Sequence, residues 1–145
     1  MIPKIKLLSL FAKWPDKAYE GDAGFDVFSN SPDIVLGFGE RFKFQLGFAI
    51  ELPPGWVALI QEKSGMAVSN GILTMGNVID SGYRGEVHAT LCCLEQKSIE
   101  IRHGQKIAQM LIVPCYTDKY YDVIDIGDEL SSSDREDKGF GSTGL

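Results

Sequence analysis

The chain of 145 residues is poor in the features that would place it outside ordinary globular proteins. No apolar run approaches the roughly 18 residues of a membrane span, so a helical membrane protein is excluded. Cys92, Cys93 and Cys115 cannot all pair with one another and show no CxxC spacing. They read as small core hydrophobes of a protein from a reducing compartment. His88 and His103 stand apart from any cluster of metal-ligand spacing, which argues against a structural zinc site. Positive charge is in deficit, with 14 Lys and Arg against 20 Asp and Glu, a net charge of −6 and a pI near 4.8. That balance speaks against a general binder of nucleic acid or anionic membrane. A small anionic ligand gripped by a few local donors stays open. The amino terminus, MIPKIKLLSLFAKW, has a short apolar stretch after Lys4 and Lys6 and no small-residue cleavage site. It reads as the start of a mature, non-secreted, cytoplasmic protein.

What is present is a chain of globular composition, 44% hydrophobic and 23% charged. Its length sets one domain, burying roughly 68–70% of the unfolded surface. Phe42, Phe44, Leu46, Phe48, Ile50 and Leu52 alternate with Arg41, Lys43, Gln45, Gly47, Ala49 and Glu51. A period of two predicts a long half-buried strand, ended by the turn Pro53-Pro54-Gly55. Trp56 to Ile60 begins another short apolar run. Val87, Ala89, Leu91 and Cys93 alternate with Glu86, His88, Thr90 and Cys92, and Ile99 and Ile101 with Glu100 and Arg102. Lys106 to Val113 is a last β-rich run, closed by Pro114. Only Ser64 to Ser69, behind a Ser cap, suggests a helix of one or two turns. Short strands at regular spacing predict an all-β sandwich or barrel. From about Gly127 the composition turns polar and has little to bury, as expected of a mobile tail.

Five segments fit poorly as plain scaffold. In Ala23-Gly24-Phe25-Asp26-Val27 an acidic residue interrupts a strand-like stretch; an ordinary strand end is the plainer reading. Glu62-Lys63-Ser64-Gly65-Met66-Ala67 sets a cation, a hydroxyl and a glycine where the helix begins. Unpaired N–H groups there, with Lys63, Ser64 and Gly65, suit phosphate oxygens, or they form only a cap beside a solvated lysine. Gly76 to Val87 reads as a hairpin with Ser81-Gly82 at its tip. Its backbone can pair with a base edge as a strand would. Asp80 is there either a general base toward water or a turn cap, and Tyr83 either packs on a sugar or is a rim aromatic. Gln109 places a polar amide in the apolar run Ile107 to Met110 and must find a core or a ligand partner. Arg135 to Leu145 carries Phe140 between Gly139 and Gly141, then Ser142, Thr143 and Gly144. Those are the parts of a lid, or of an exposed flexible end.

In order, the five segments resemble the five motifs of the trimeric deoxyuridine triphosphate nucleotidohydrolases, the dUTPases. The most specific are Ile79-Asp80 through Tyr83-Arg84-Gly85-Glu86 and Gly139-Phe140-Gly141-Ser142-Thr143-Gly144. The resemblance implies a jelly-roll or β-clip sandwich, with residues 1–126 forming a dUTPase-like β-barrel domain and 127–145 a flexible lid carrying the fifth motif. It implies a homotrimer with sites at subunit interfaces, binding neither nucleic acid nor membrane. The implied reaction splits dUTP with Mg²⁺ into dUMP and pyrophosphate, which limits uracil incorporation into DNA and supplies dUMP for thymidylate synthesis. By the same resemblance Asp80 activates the water that attacks the α-phosphate, and Tyr83 packs under the deoxyribose and excludes a 2′-hydroxyl. The segment around them, with Asn77, holds uracil and leaves no room for a 5-methyl group. Lys63, Ser64, Gly65 and Gln109 hold phosphates, and Asp26 lies near Mg²⁺ through water. Phe140 stacks on the base while Arg135, Gly141, Ser142 and Thr143 approach the phosphates.

Independently of the family, a triphosphate on a net-acidic protein needs a divalent ion and focused donors, which Lys63, Arg135 and Lys138 supply locally. Five positions in three places depart from the family pattern. Lys63 stands where Arg is common, replacing a bidentate contact by a point charge. Glu136-Asp137-Lys138 replaces glycine between Arg135 and Phe140, and Asn77 replaces a frequent Gly. Two competing readings share the architecture: a dCTP deaminase-like enzyme, and a non-catalytic jelly-roll binding or regulatory protein.

Overall fold

Alternation sustained over eleven residues has one stable outcome, a strand with one face on a core, and Arg41–Glu51 forms it as β4. The computed structural model describes residues 2–117 and 131. Before β4 come β1 (Lys4–Leu7), β2 (Phe25–Phe28) and β3 (Ile34–Leu36). After it come β5 (Trp56–Gln61), α1 (Ser64–Asn70), β6 (Ile72–Met75), β7 (Val78–Ile79), β8 (Glu86–Cys93), β9 (Ile99–Ile101) and β10 (Lys106–Pro114).

Two four-stranded sheets, ordered β1-β4-β8-β6 and β2-β10-β5-β7, carry the fold, with a small sheet β3-β9 beside them. The pairs are antiparallel. The expected all-β sandwich is thus the observed architecture; among the described residues its sheets stay open and do not close into a barrel. Phe44, Leu46, Phe48 and Ile50 of β4 and Val87, Ala89, Leu91 and Cys93 of β8 form much of the core. Ala58 and Ile60 of β5 and Ile107, Ala108 and Met110 of β10 complete it from the second sheet. Of the three cysteines, all free, only Cys93 is a core residue; Cys92 and Cys115 are half-buried.

Three local readings need correction. The long strand is not uniform: Gln45 faces His88 but Ala49 faces Glu86, so β4 advances four residues while β8 advances two. Gly47, at φ +73°, makes this bulge, and its N–H bonds to the Glu86 carboxylate at 2.9 Å. The helix is present, but its N-cap is Lys63, without a side-chain cap bond; Ser64 is already helical. Gly71 ends it in the left-handed region, its N–H directed to the Ala67 and Met66 carbonyls. Finally, Gly76 to Val87 is not a paired hairpin. Its first arm, β7, pairs with β5, whereas its second, β8, pairs with β4 and β6. The turn between them therefore bridges the two sheets.

Candidate functional site

The first cluster grows from Asp26 on β2. Register sets Gln109 of β10 opposite both Asp26 and Gln61 of β5, in a row across the second sheet. Asp26 is 7% exposed, and a buried carboxylate needs partners. Lys63 bonds to its Oδ1 and Lys106 to its Oδ2, the latter at 2.8 Å. Burial alone would push the Asp26 carboxyl up, but hydrogen bonds and charge from Lys106 and Lys63 prevail and hold it below its usual value. The same contact raises Lys106. Gln109 finds its partner at last: Nε2 donates to the Glu62 carbonyl at 2.7 Å. Its side chain also presses on Gly24, where a Cβ would lie 2.6 Å from Oε1. The Glu62 carboxyl is lowered by its own backbone N–H, against desolvation, and by the N–H and hydroxyl of Thr74. Ser64 and Gly65 stand exposed beside Lys63, ahead of the first helical bond, from the Ala67 N–H to the Lys63 carbonyl at 2.9 Å.

The second cluster surrounds Asp80. Gly76, Val78, Ile79, Asp80 and Tyr83 form one side of a pocket of about 260 Å³, and Lys43, Glu86, His88 and Thr90 the other. β7 is an edge strand with β5 on one side only. The Ile60 N–H bonds to the Asn77 carbonyl at 2.9 Å. By the alternation of an antiparallel ladder, the Val78 N–H and C=O therefore turn away from β5 to the free edge. The Tyr83 N–H bonds to the Asp80 carbonyl at 3.0 Å and closes the turn. Arg84 Nη1 donates to the Ser81 carbonyl at 2.7 Å. Asn77 holds its strand through the backbone, while its side-chain Oδ1 is buried without a hydrogen-bond partner.

The structure thus brings Asp26, Lys63 and Gln109 together, with Ser64 and Gly65 next to them, and separately Asp80 with Tyr83. Sequence reasoning missed Lys106, which read as the start of a strand, and the wall of Lys43, His88 and Thr90. The wall had a signal, since alternation already set His88 and Thr90 on the polar face of β8. Arg135, Phe140, Gly141, Ser142 and Thr143 lie outside the described residues. No group of three or more His, Cys, Asp and Glu able to hold a metal occurs among the described residues. Asp26, the one buried carboxylate of the first cluster, has both oxygens engaged, Oδ1 by Lys63 and Oδ2 by Lys106.

The described chain is thus a two-sheet β protein with an acid and a tyrosine beside an open strand edge and, apart from them, a buried carboxylate held by two lysines. The dUTPase family matches residues 11–144, and the chain belongs to that family. The deoxyuridine 5′-triphosphate nucleotidohydrolase of Clostridium tetani is 40% identical over 143 residues, covering 97% of this chain and 95% of the relative. The dUTPase of Staphylococcus bacteriophage 80alpha with dUPNHPP superposes at a TM-score of 0.84 and 28% identity, covering 99% of each chain. A mutant dUTPase from phage phi11 of S. aureus, described with a structural Mg(II) ion, shares the fold at 23% identity and a TM-score of 0.79, covering 91% of this chain and all of that one.

Proposed function

We propose that the protein hydrolyses dUTP to dUMP and pyrophosphate, with sites built between subunits of a homotrimer. The observation that carries this reading is the free edge of β7 at the Asp80 and Tyr83 pocket. Uracil offers a ring N–H between two carbonyl oxygens, and Val78 turns one C=O and one N–H toward the pocket. Asp80 takes a proton from water as the water oxygen attacks the α-phosphorus; the bond from that phosphorus to the bridging oxygen breaks and pyrophosphate leaves. Tyr83 packs against the deoxyribose and excludes a 2′-hydroxyl. Lys63, Ser64, Gly65 and Gln109 receive the phosphates; Asp26 would be the carboxylate that holds a Mg²⁺ ion through water, and the ion would supply charge neutralisation on the triphosphate. Arg135, Phe140, Gly141, Ser142 and Thr143 close over the nucleotide. The reaction lowers dUTP, which limits uracil in DNA, and supplies dUMP for thymidylate synthesis. Free thiols at Cys92, Cys93 and Cys115 agree with a cytoplasmic site of action.

The shared site is supported by distance. Asp80 follows Ile79, whose partner on β5 is Ala58, whereas Gln109 faces Gln61. Four residues along β5, about 13 Å, and two strand spacings, about 10 Å, set the Asp80 and Gln109 clusters of one chain roughly 16 Å apart. An attacking water at Asp80 and a phosphate at Gln109 must be near neighbours. A second copy bringing its own Asp26 cluster to this Asp80 removes the gap.

The test is pyrophosphate release measured across dUTP, dTTP, dCTP and UTP, with Asp80→Asn beside the unaltered chain. The proposal expects release from dUTP above the others, and Asp80→Asn slower by roughly 10²–10⁴-fold. Ammonia released from dCTP would make the protein a deaminase, and silence on all four a binding protein.

A further inference from the structure

The Asp80 to Glu86 turn folds the Tyr83 side chain back over its own backbone. The phenol hydroxyl donates to the Glu86 carbonyl at 2.9 Å. That acceptor is itself fixed, because the Glu86 carboxylate takes the Gly47 N–H at 2.9 Å and the Gln45 amide at 3.1 Å. Between the two residues lies Gly85. A Cβ added there would stand 2.6 Å from Tyr83 Cζ and 3.0 Å from Cε2, and nearer still to the hydroxyl oxygen. The three atoms it would meet first all belong to Tyr83. Gly85 is not in the left-handed region, so its backbone conformation does not demand glycine. What demands it is the ring.

We propose that Gly85 is the positioning residue of sugar discrimination, an inference that rests on the reading of Tyr83 as the gate against a 2′-hydroxyl. The missing Cβ is the seat of the phenol ring. With the ring seated and its hydroxyl tied to Glu86, the gate stands at one fixed depth beside the pocket. A methyl group at Gly85 lifts the ring, breaks the bond to Glu86 and leaves the gate loose while Asp80 and the edge of β7 stay in place. Discrimination between deoxyribose and ribose then falls more than turnover of the deoxynucleotide.

The experiment uses the full chain and compares kcat/KM for dUTP and UTP in the unaltered protein, Gly85→Ala, Tyr83→Ala and the double variant. Gly85→Ala is expected to lower the dUTP/UTP ratio about tenfold, the scale of one lost steric contact. In the Tyr83→Ala background the same change should move the ratio less than about twofold, because the clash has gone with the ring. If Gly85→Ala alone fails to fold, the double variant must fold and keep the Tyr83→Ala ratio. A ratio unchanged in Gly85→Ala but lowered in Tyr83→Ala overturns the role of Gly85 and leaves the gate standing. A double variant that also fails to fold overturns it as well. A ratio unchanged in Tyr83→Ala removes the gate itself, and the inference with it.

Discussion

Asp26 is held charged by two lysines of unlike exposure, with side chains 30% exposed for Lys63 and 48% for Lys106. A carboxyl lowered in the folded state contributes stability that is present above its unfolded value and lost as pH falls through the folded one. Asp26→Asn should therefore be less stable than the unaltered protein by about 1–2 kcal/mol from pH 5 to 8, the low side of a charged hydrogen-bond pair because the lysines are partly solvated. The gap should narrow below about pH 4. Urea unfolding at several pH values measures it, and a gap that widens on acidification would refute the assignment. Asp26 stood out in the sequence because a carboxylate inside a strand has to be explained. Its second partner did not, since Lys106 is contiguous with a strand in a pattern that any solvent-facing lysine would satisfy. Asp80 and Tyr83 were legible for the opposite reason: both flank a local turn, and their proximity needs no long-range pairing.

The bulge at Gly47 shows what period-two reading captures and what it misses. Alternation located β4 to within a residue, because burying one face is a local requirement. It could not register the two extra residues, because Gly47 fell on the polar phase and a glycine there disturbs no pattern. A Cβ at Gly47 would meet Ala12 Cβ at 2.5 Å and Asn30 Cγ at 2.8 Å, at a φ of +73°. Gly47→Ala is accordingly expected to lose about 2–4 kcal/mol, from left-handed strain plus overpacking. Chemical denaturation would read this as a lower midpoint at similar slope, whereas a loss under about 0.5 kcal/mol would mean that the bulge relaxes freely. The turn at Ser81-Gly82 carries a parallel lesson. Turn residues announce that the chain reverses, but the sheet that each arm joins is decided by the partners β5 and β4, which are remote in sequence.

For the whole molecule, the proposed shared site, which must bridge the roughly 16 Å between the two clusters of one chain, makes assembly a condition of activity rather than an addition to it. Chains carrying Asp80→Asn and chains truncated after Ser133 should each be inactive alone. Refolded together at equal amounts, about one site in four of a cyclic trimer combines an intact Asp80 from a truncated chain with an intact tail from the other, if neighbouring subunits supply them. Activity should return to about a quarter of the unaltered level. Mixed trimers demonstrated by mass spectrometry but without activity would mean that Asp80 and the tail of one site come from the same chain. None of this was visible in composition, which identifies what a surface repels but not which copy of a motif completes a site.

β7 has only two residues, Val78 and Ile79, although it forms the outer edge of its sheet. An exposed edge is an invitation to foreign strands, and proteins with long flat ones aggregate. Two residues present too few groups to template another chain, yet enough for a planar ring with one donor between two acceptors. The same brevity that gives a foreign strand little to pair with leaves this edge open to a small flat partner.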